Sequence, residues 1–318
     1  MDPEARRARR EGRRRVTRRR RIQALGLVAA CAAAVAVIAS ASGGTARKSP
    51  SRATPARAHA GGSTTRGPHT PATASGGPPG KAPVPILMYH VIAAPPSGAP
   101  FPGLYVPPAE FAEQMQALKD AGWHAVTLDQ VAAYWRKGTS LGPGRPVMLT
   151  FDNGYQSQFT QALPVLQRLG WVADENIQLS GLPPSQGGLG ESQVRGLVTA
   201  GWELDTQGYS HADLITLGAE RLNYEVAVTR RTLQQRYHVP VNWFCYPSGH
   251  YDSTVVSVVR AAGYSGSTTV VPGWAHPGDD PYRLHRLRVL GGTTGRALLA
   301  QISGAREEPP APDSYKGG

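Results

Sequence analysis

The sequence predicts a parallel α/β barrel behind a basic, apolar leader and a long tether. Three observations predict it. Short apolar runs alternate with amphipathic helical stretches from Pro85 onward, the pattern of strands paired in parallel through crossover helices. About seven such units follow one another within roughly 220 residues, a size that suits a barrel better than an open sheet. No phosphate-binding glycine motif follows the first strand, which argues against a dinucleotide fold.

The charge separates the leader from the body. The 318 residues carry a net charge of +12, but residues 1–21 alone hold eleven Arg against three acids. The tether, residues 43–83, holds six Lys or Arg and no acid, while the body from Val84 onward is at −2. A nucleic-acid-binding domain carries its own basic face, so the composition argues against nucleic acid as a partner. Residues 22–42 contain an apolar run from Ile22 to Ala41, about 30 Å long as a helix and so able to span a bilayer. With the positive charge on its amino-terminal side, residues 1–21 are expected in the cytoplasm and the remainder outside. Retention as a membrane anchor and cleavage as a signal peptide, after Ala39-Ser40-Ala41, both fit. In the tether 33 of 41 residues are Gly, Pro, Ser, Thr or Ala, too few apolar groups to offset ordering. The expected location is the cell membrane with a wall-facing domain, or secretion. The folded domain is expected over 84–304 and a disordered tail over 305–318.

The elements read in order. Ile86-Leu87-Met88-Tyr89 is a short apolar run ending at His90 and reads as a buried strand. Pro108 opens a helix through Phe111, Met115 and Leu118, with Gly122 at its end. Strands are expected at 125–128 and 146–151, with a helix at 129–137 between them. A helix over 157–169 leads to an irregular strand near 177–179, then a Gly/Pro-rich loop, a helix over 192–200 and a strand over 202–205. A long amphipathic helix over 219–237, a strand at 243–246, a helix at 254–262 and strands at 264–270 and 286–290 complete the pattern. The body has one cysteine, Cys245, so no disulfide forms within it, and it reads as a small core residue.

In such barrels chemistry gathers where strands end. Four expected strands deliver polar groups there: His90; Asp152 with Asn153; Asp205 with Gln207 and His211; and Tyr246 with Pro247. Their convergence on one rim is the sequence's strongest functional signal.

At these residues the chain resembles a known family. Thr150-Phe151-Asp152-Asn153-Gly154-Tyr155 is similar to the Thr-Phe-Asp-Asp-Gly-Tyr signature of polysaccharide deacetylases, the NodB-homology domain of carbohydrate esterase family four. The segment from Gly201 to Leu214, with Gln207 and His211, resembles the family's second motif, and Phe244-Cys245-Tyr246-Pro247-Ser248-Gly249 its Phe-x-Tyr-Pro-x-Gly motif. Pro85 to His90 resembles the opening strand of the poly-N-acetylglucosamine deacetylase branch. The resemblance runs from about Pro85 to Leu290. It implies a distorted (β/α)7 barrel that removes acetyl groups from N-acetylglucosamine-type sugars or other glycans, a peptidoglycan-type polymer included. It also implies a zinc or similar divalent cofactor held by one Asp and two His. Asp152 then stands as general base, His90 as general acid, and the backbone at Tyr246 on the oxyanion side. One of Arg286 and Arg288 is expected to pair with Asp152. Tyr155, Trp202, Tyr209, Pro247 and His250 are the expected sugar contacts.

The metal positions depart from the family pattern. His211 keeps its identity, but Asn153 stands at the Asp position and Gln207 at the first His position. Neutral amide oxygens are poor zinc ligands. Three readings remain: a deacetylase whose metal site has moved, with Asp205 as substitute ligand two residues before Gln207; a metal-free hydrolase using Asp152 and His90; or a domain that binds a wall glycan without turnover.

Overall fold

The computed structural model describes residues 77–182 and 187–317. The expected basic segment, the apolar run at 22–42 and most of the tether lie outside them. Among the described residues no helix is long and apolar enough to cross a membrane.

Parallel strands form one curled sheet: β1 (Ile86–Tyr89), β2 (Trp123–Val126), β3 (Arg145–Asn153), β4 (Asp174–Ile177), β5 (Glu203–Thr206), β6 (Trp243–Cys245), β7 (Gly266–Thr268) and β8 (Leu287–Arg288). The spatial order is β7-β6-β5-β4-β3-β1-β8, with β2 attached to β3. β3 is long enough to serve three neighbours. Its first half pairs with β2 (Val126 against Met148) and its second half with β4 (Thr150 against Asp174), while β1 occupies the other edge. Between β7 and β8 the sheet does not pair as full strands. A single bridge, Thr268 to Leu284, and the bond from Arg286 N–H to Val271 O span that gap. The expected barrel is thus a curled parallel sheet that nearly meets itself.

Helices cover its outside: α1 (Pro108–Asp120), α2 (Leu128–Lys137), α3 (Leu163–Leu169), α4 (Glu191–Thr199), α5 (Ala219–Asn223), α6 (Thr229–Tyr237), α7 (Ser253–Ala261) and α8 (Gly295–Gly304). Local chemistry sets their ends. Thr127 accepts from Gln130 N–H while the Gln130 side chain accepts from Thr127 N–H, a capping box that starts α2, and left-handed Gly138 ends it. Alternate residues of each strand face opposite ways. Leu87, Tyr89, Leu149 and Phe151 pack under α1, α3 and α8, whereas Ile86, Met148 and Trp243 belong to a separate buried cluster. Two helices begin or break with a π turn, Gln158–Ala162 before α3 and Tyr224–Val228 between α5 and α6. Each turn sends one buried polar side chain toward the strand ends.

The structure corrects three expectations. β4 lies at 174–177, earlier than the expected 177–179, and three of its four residues are the buried polar Asp174, Glu175 and Asn176. The last residues of the expected tether, 77–83, run along α2: Gly80 N–H donates to Tyr134 O and Trp135 Nε1–H to Ala82 O. The tail expected to lack order is anchored as well. Tyr315 and Tyr251 form an antiparallel bridge, and the Tyr251 hydroxyl donates to Pro312 O.

Candidate active site

The carboxyl ends of β1, β3, β6 and β8, with the loop after β5, surround a cavity of about 370 Å³. His90, Asp152, Asn153, Gln207, His211, Tyr155 and Tyr246 all line it. Six of the polar positions singled out at four strand ends, His90, Asp152, Asn153, Gln207, His211 and Tyr246, therefore do share one pocket.

Its centre is a buried ion pair. Arg286 donates from Nη1 to Asp152 Oδ1 at 2.8 Å and from Nη2 to Oδ2 at 2.9 Å. The guanidinium's other donors reach Thr269 O, Thr150 Oγ1 and Cys245 Sγ, so all five N–H groups are engaged. Of the two arginines expected near Asp152, Arg286 makes the pair. Asn176 Nδ2 adds a third bond to Oδ1 at 2.9 Å. Burial acts to raise the Asp152 pKa, but the Arg286 charge and these hydrogen bonds override it and bring the pKa to about 2.

His90 Nε2 lies 3.9 Å from Asp152 Oδ2, beyond hydrogen-bond length but a span that one water can bridge. Burial lowers its pKa to about 4, against the opposing pull of Asp152. One residue sets this spacing. Gln158, wholly buried at the start of the first π turn, donates from Nε2 to both His90 O and Asp152 O at 2.8 Å. Nothing in the sequence marked Gln158 or Asn176, since neither stands in a recognisable motif.

The second π turn holds the loop after β5. Glu225, fully buried, accepts from Ser210 N–H at 2.8 Å and from Ser210 Oγ, and receives Arg221. His211 follows in left-handed conformation, with φ 57°. Burial also lowers its pKa. On the facing loop a Cβ at Gly249 would lie 2.2 Å from Val270, so the turn after Tyr246 admits glycine alone.

The residues present do not fit zinc. At the three positions expected to hold a metal the cavity offers one imidazole, His211, and two amides, Asn153 and Gln207. Gln207 Oε1 is buried without a hydrogen-bond partner, and its Nε2 donates to Cys245 Sγ at 3.3 Å. The available oxygen is thus neutral, and the nearest carboxylate is saturated by Arg286 and Asn176. Zinc sites are built from thiolate, imidazole and carboxylate, and this donor set lacks an anion. Asp205 does not supply one. Two residues along a strand is about 6.6 Å, and its Oδ1 accepts from Trp243 N–H at 2.8 Å and Asn242 N–H at 3.2 Å, outside the cavity lining. It joins Asp174 and Glu203 in a carboxylate cluster whose oxygens lie within 4.8 Å of one another. That cluster meets the start of α2, where Leu128 N–H donates to Asp174.

Several expected sugar contacts lie elsewhere. Trp202 is buried and stacks on Phe151 at 5.0 Å. Tyr209 packs on Tyr224. Pro247 is buried behind the lining, and His250 Nδ1 sits 3.1 Å from Asp213 Oδ1. The Tyr246 N–H points at Thr268 O, 3.4 Å away across β6 and β7, and is not a free oxyanion donor. The cysteine is a core residue as expected: Cys245 is fully buried, and burial pushes its thiol up to about 12. Phe101 and Leu104, unmarked in the sequence, line the mouth.

A curled parallel α/β sheet thus carries a carboxylate–arginine pair and a histidine together at its strand ends. Residues 140–267 match the model of the polysaccharide deacetylase family. YxkH of Bacillus subtilis, named for the same family, is 29% identical over 222 residues, 70% of this chain and 76% of that protein. A poly-beta-1,6-N-acetyl-D-glucosamine N-deacetylase of Escherichia coli is 41% identical over 61 residues, 19% of this chain and 9% of that one. The Streptococcus pyogenes deacetylase PplD, solved with acetate, shares the fold with a TM-score of 0.64 at 24% identity, over 70% of this chain and 99% of its own.

Proposed function

We propose that this protein is a hydrolase that removes acetyl groups from a glycan, with His90 handling the protons beside Asp152 and no resident zinc. The observation that carries this reading is the 3.9 Å separation of the two groups at the floor of an open cavity. The resting site presents a carboxylate and a neutral imidazole. A water placed beside both attacks the acetyl carbonyl, and its proton passes to His90 and not to the expected base Asp152, whose oxygens are held by Arg286 and Asn176. The imidazolium then gives that proton to the leaving oxygen or nitrogen, so that acetate and the free sugar group result. Acid–base catalysis of this kind contributes about 10²–10⁴-fold, which suits an ester better than an amide. O-acetyl groups are therefore the preferred target, although the Escherichia coli relative named above is an N-deacetylase. Action at the cell envelope is supported by the basic start, apolar run and tether of the sequence.

The two amides at the family's ligand positions favour a second reading, a domain that holds an acetylated glycan without turning it over. Acetate release from acetylxylan and acetylated chitooligosaccharides, measured after dialysis against chelator, separates the two. Release from acetylxylan that survives chelation and is lost in His90→Ala supports the hydrolase. Binding without release, equal in wild type and His90→Ala, supports the binder.

A further inference from the structure

The charges around the cavity are not balanced. Among the described residues Asp152 is the one acid lining it, and Arg286 already matches that charge with both of its terminal nitrogens. Arg288 lies two residues further along, on the same strand face. It also lines the cavity, yet it is exposed and makes no ion pair among the described residues. Its position is fixed all the same: β8 sets it against Met88, and Gln301 Nε2 donates to its carbonyl at 2.9 Å.

An apolar lip borders the same cavity. Phe101 is 69% exposed and lines the cavity with Leu104, and Leu290, 42% exposed, packs beside Gly103. An exposed aromatic ring next to an unmatched cation is a surface for a ligand that is apolar on one side and negative on the other. A pyranose ring presents a C–H face, and the missing element is the charge.

We propose that the glycan taken by this pocket is acidic, with Arg288 pairing a sugar carboxylate while Phe101 and Leu104 pack on the ring. The substrate class is then an acetylated polymer of uronic or other carboxylate-bearing sugars, and a neutral amino-sugar polymer is the poorer ligand. This rests on the reading that the cavity is a glycan site.

Calorimetric titration of the chain with O-acetylated trigalacturonate and with tri-N-acetylchitotriose tests it. The acidic trimer is expected to bind about 10-fold more tightly at low salt. Arg288→Ala, at an exposed position, should reduce that preference to under about threefold and leave the neutral trimer unaffected. Raising the salt to about 0.5 M should shrink the preference in wild type. Arg288→Lys should keep most of it, and Arg231→Ala, on the exposed part of α6, should keep all of it. Equal affinity for both trimers, or equal weakening of both by Arg288→Ala, overturns the inference while leaving the glycan site standing. Binding of neither trimer removes the glycan site itself.

Discussion

Asn153 and Gln207 decide more about this site than any residues around them. Each substitutes an amide for a charged or basic ligand, and together they leave His211 without a partner for zinc. The backbone nevertheless accepts the ligands that the family pattern has at these positions. Asn153 has φ 79°, a conformation that Asp tolerates nearly as well as Asn, and His211 already lines the cavity. Asn153→Asp combined with Gln207→His is therefore expected to create a stoichiometric zinc site at the cavity. Elemental analysis after dialysis, together with titration calorimetry, checks this. Zinc bound equally by wild type and double variant sinks the assignment. At this scale the sequence was informative because family-like motifs name individual positions. It was silent on Gln158 and Asn176, because a buried amide's partners are made by chain folding from 68 or 24 residues away.

At the scale of elements, periodicity marked strands and helices wherever one face is apolar and one is wet. It misplaced β4, whose Asp-Glu-Asn run is polar yet buried between β3 and β5. A strand whose own side chains cap a helix terminus and bind Asp152 has no apolar signature to read. Aromatic residues misled in the opposite sense. Trp202 was expected at the sugar but fills the layer between sheet and helices. Trp202→Ala is expected to cost about 3–5 kcal/mol of stability, read from denaturant unfolding, with glycan affinity in the folded protein unchanged. A loss of affinity without a loss of stability would return Trp202 to the binding surface. The π turns were also invisible, since the helical pattern of 157–169 and 219–237 runs through them unbroken. They matter because a widened turn re-aims one side chain, here Gln158 and Glu225, toward the strand ends.

The molecule as a whole keeps charge at both ends of its sheet. Among the described residues no basic side chain bonds to the carboxylates of Asp174, Glu203 and Asp205, and burial first, then mutual repulsion, raises the Asp174 and Asp205 pKa values well above normal. A raised folded pKa means that the folded state holds protons the unfolded chain gives up, so this contribution is complete in acid and is lost as pH rises. Asp205→Asn keeps the oxygen that accepts from Trp243 and Asn242 but removes the proton dependence. Its melting temperature should exceed that of wild type by a margin that grows between about pH 5 and pH 8. Parallel curves across that range would show that the cluster carries no such strain. The order of synthesis bears on the opposite end. Asp152 and its counter-charge Arg286 are 134 positions apart, and a ribosome delivers the carboxylate long before the guanidinium. Until the stretch leading into β8 has emerged, the Asp152 carboxylate has no guanidinium beside it, so the pocket cannot mature before most of the domain has been made, and any chain that ends before β8 lacks it.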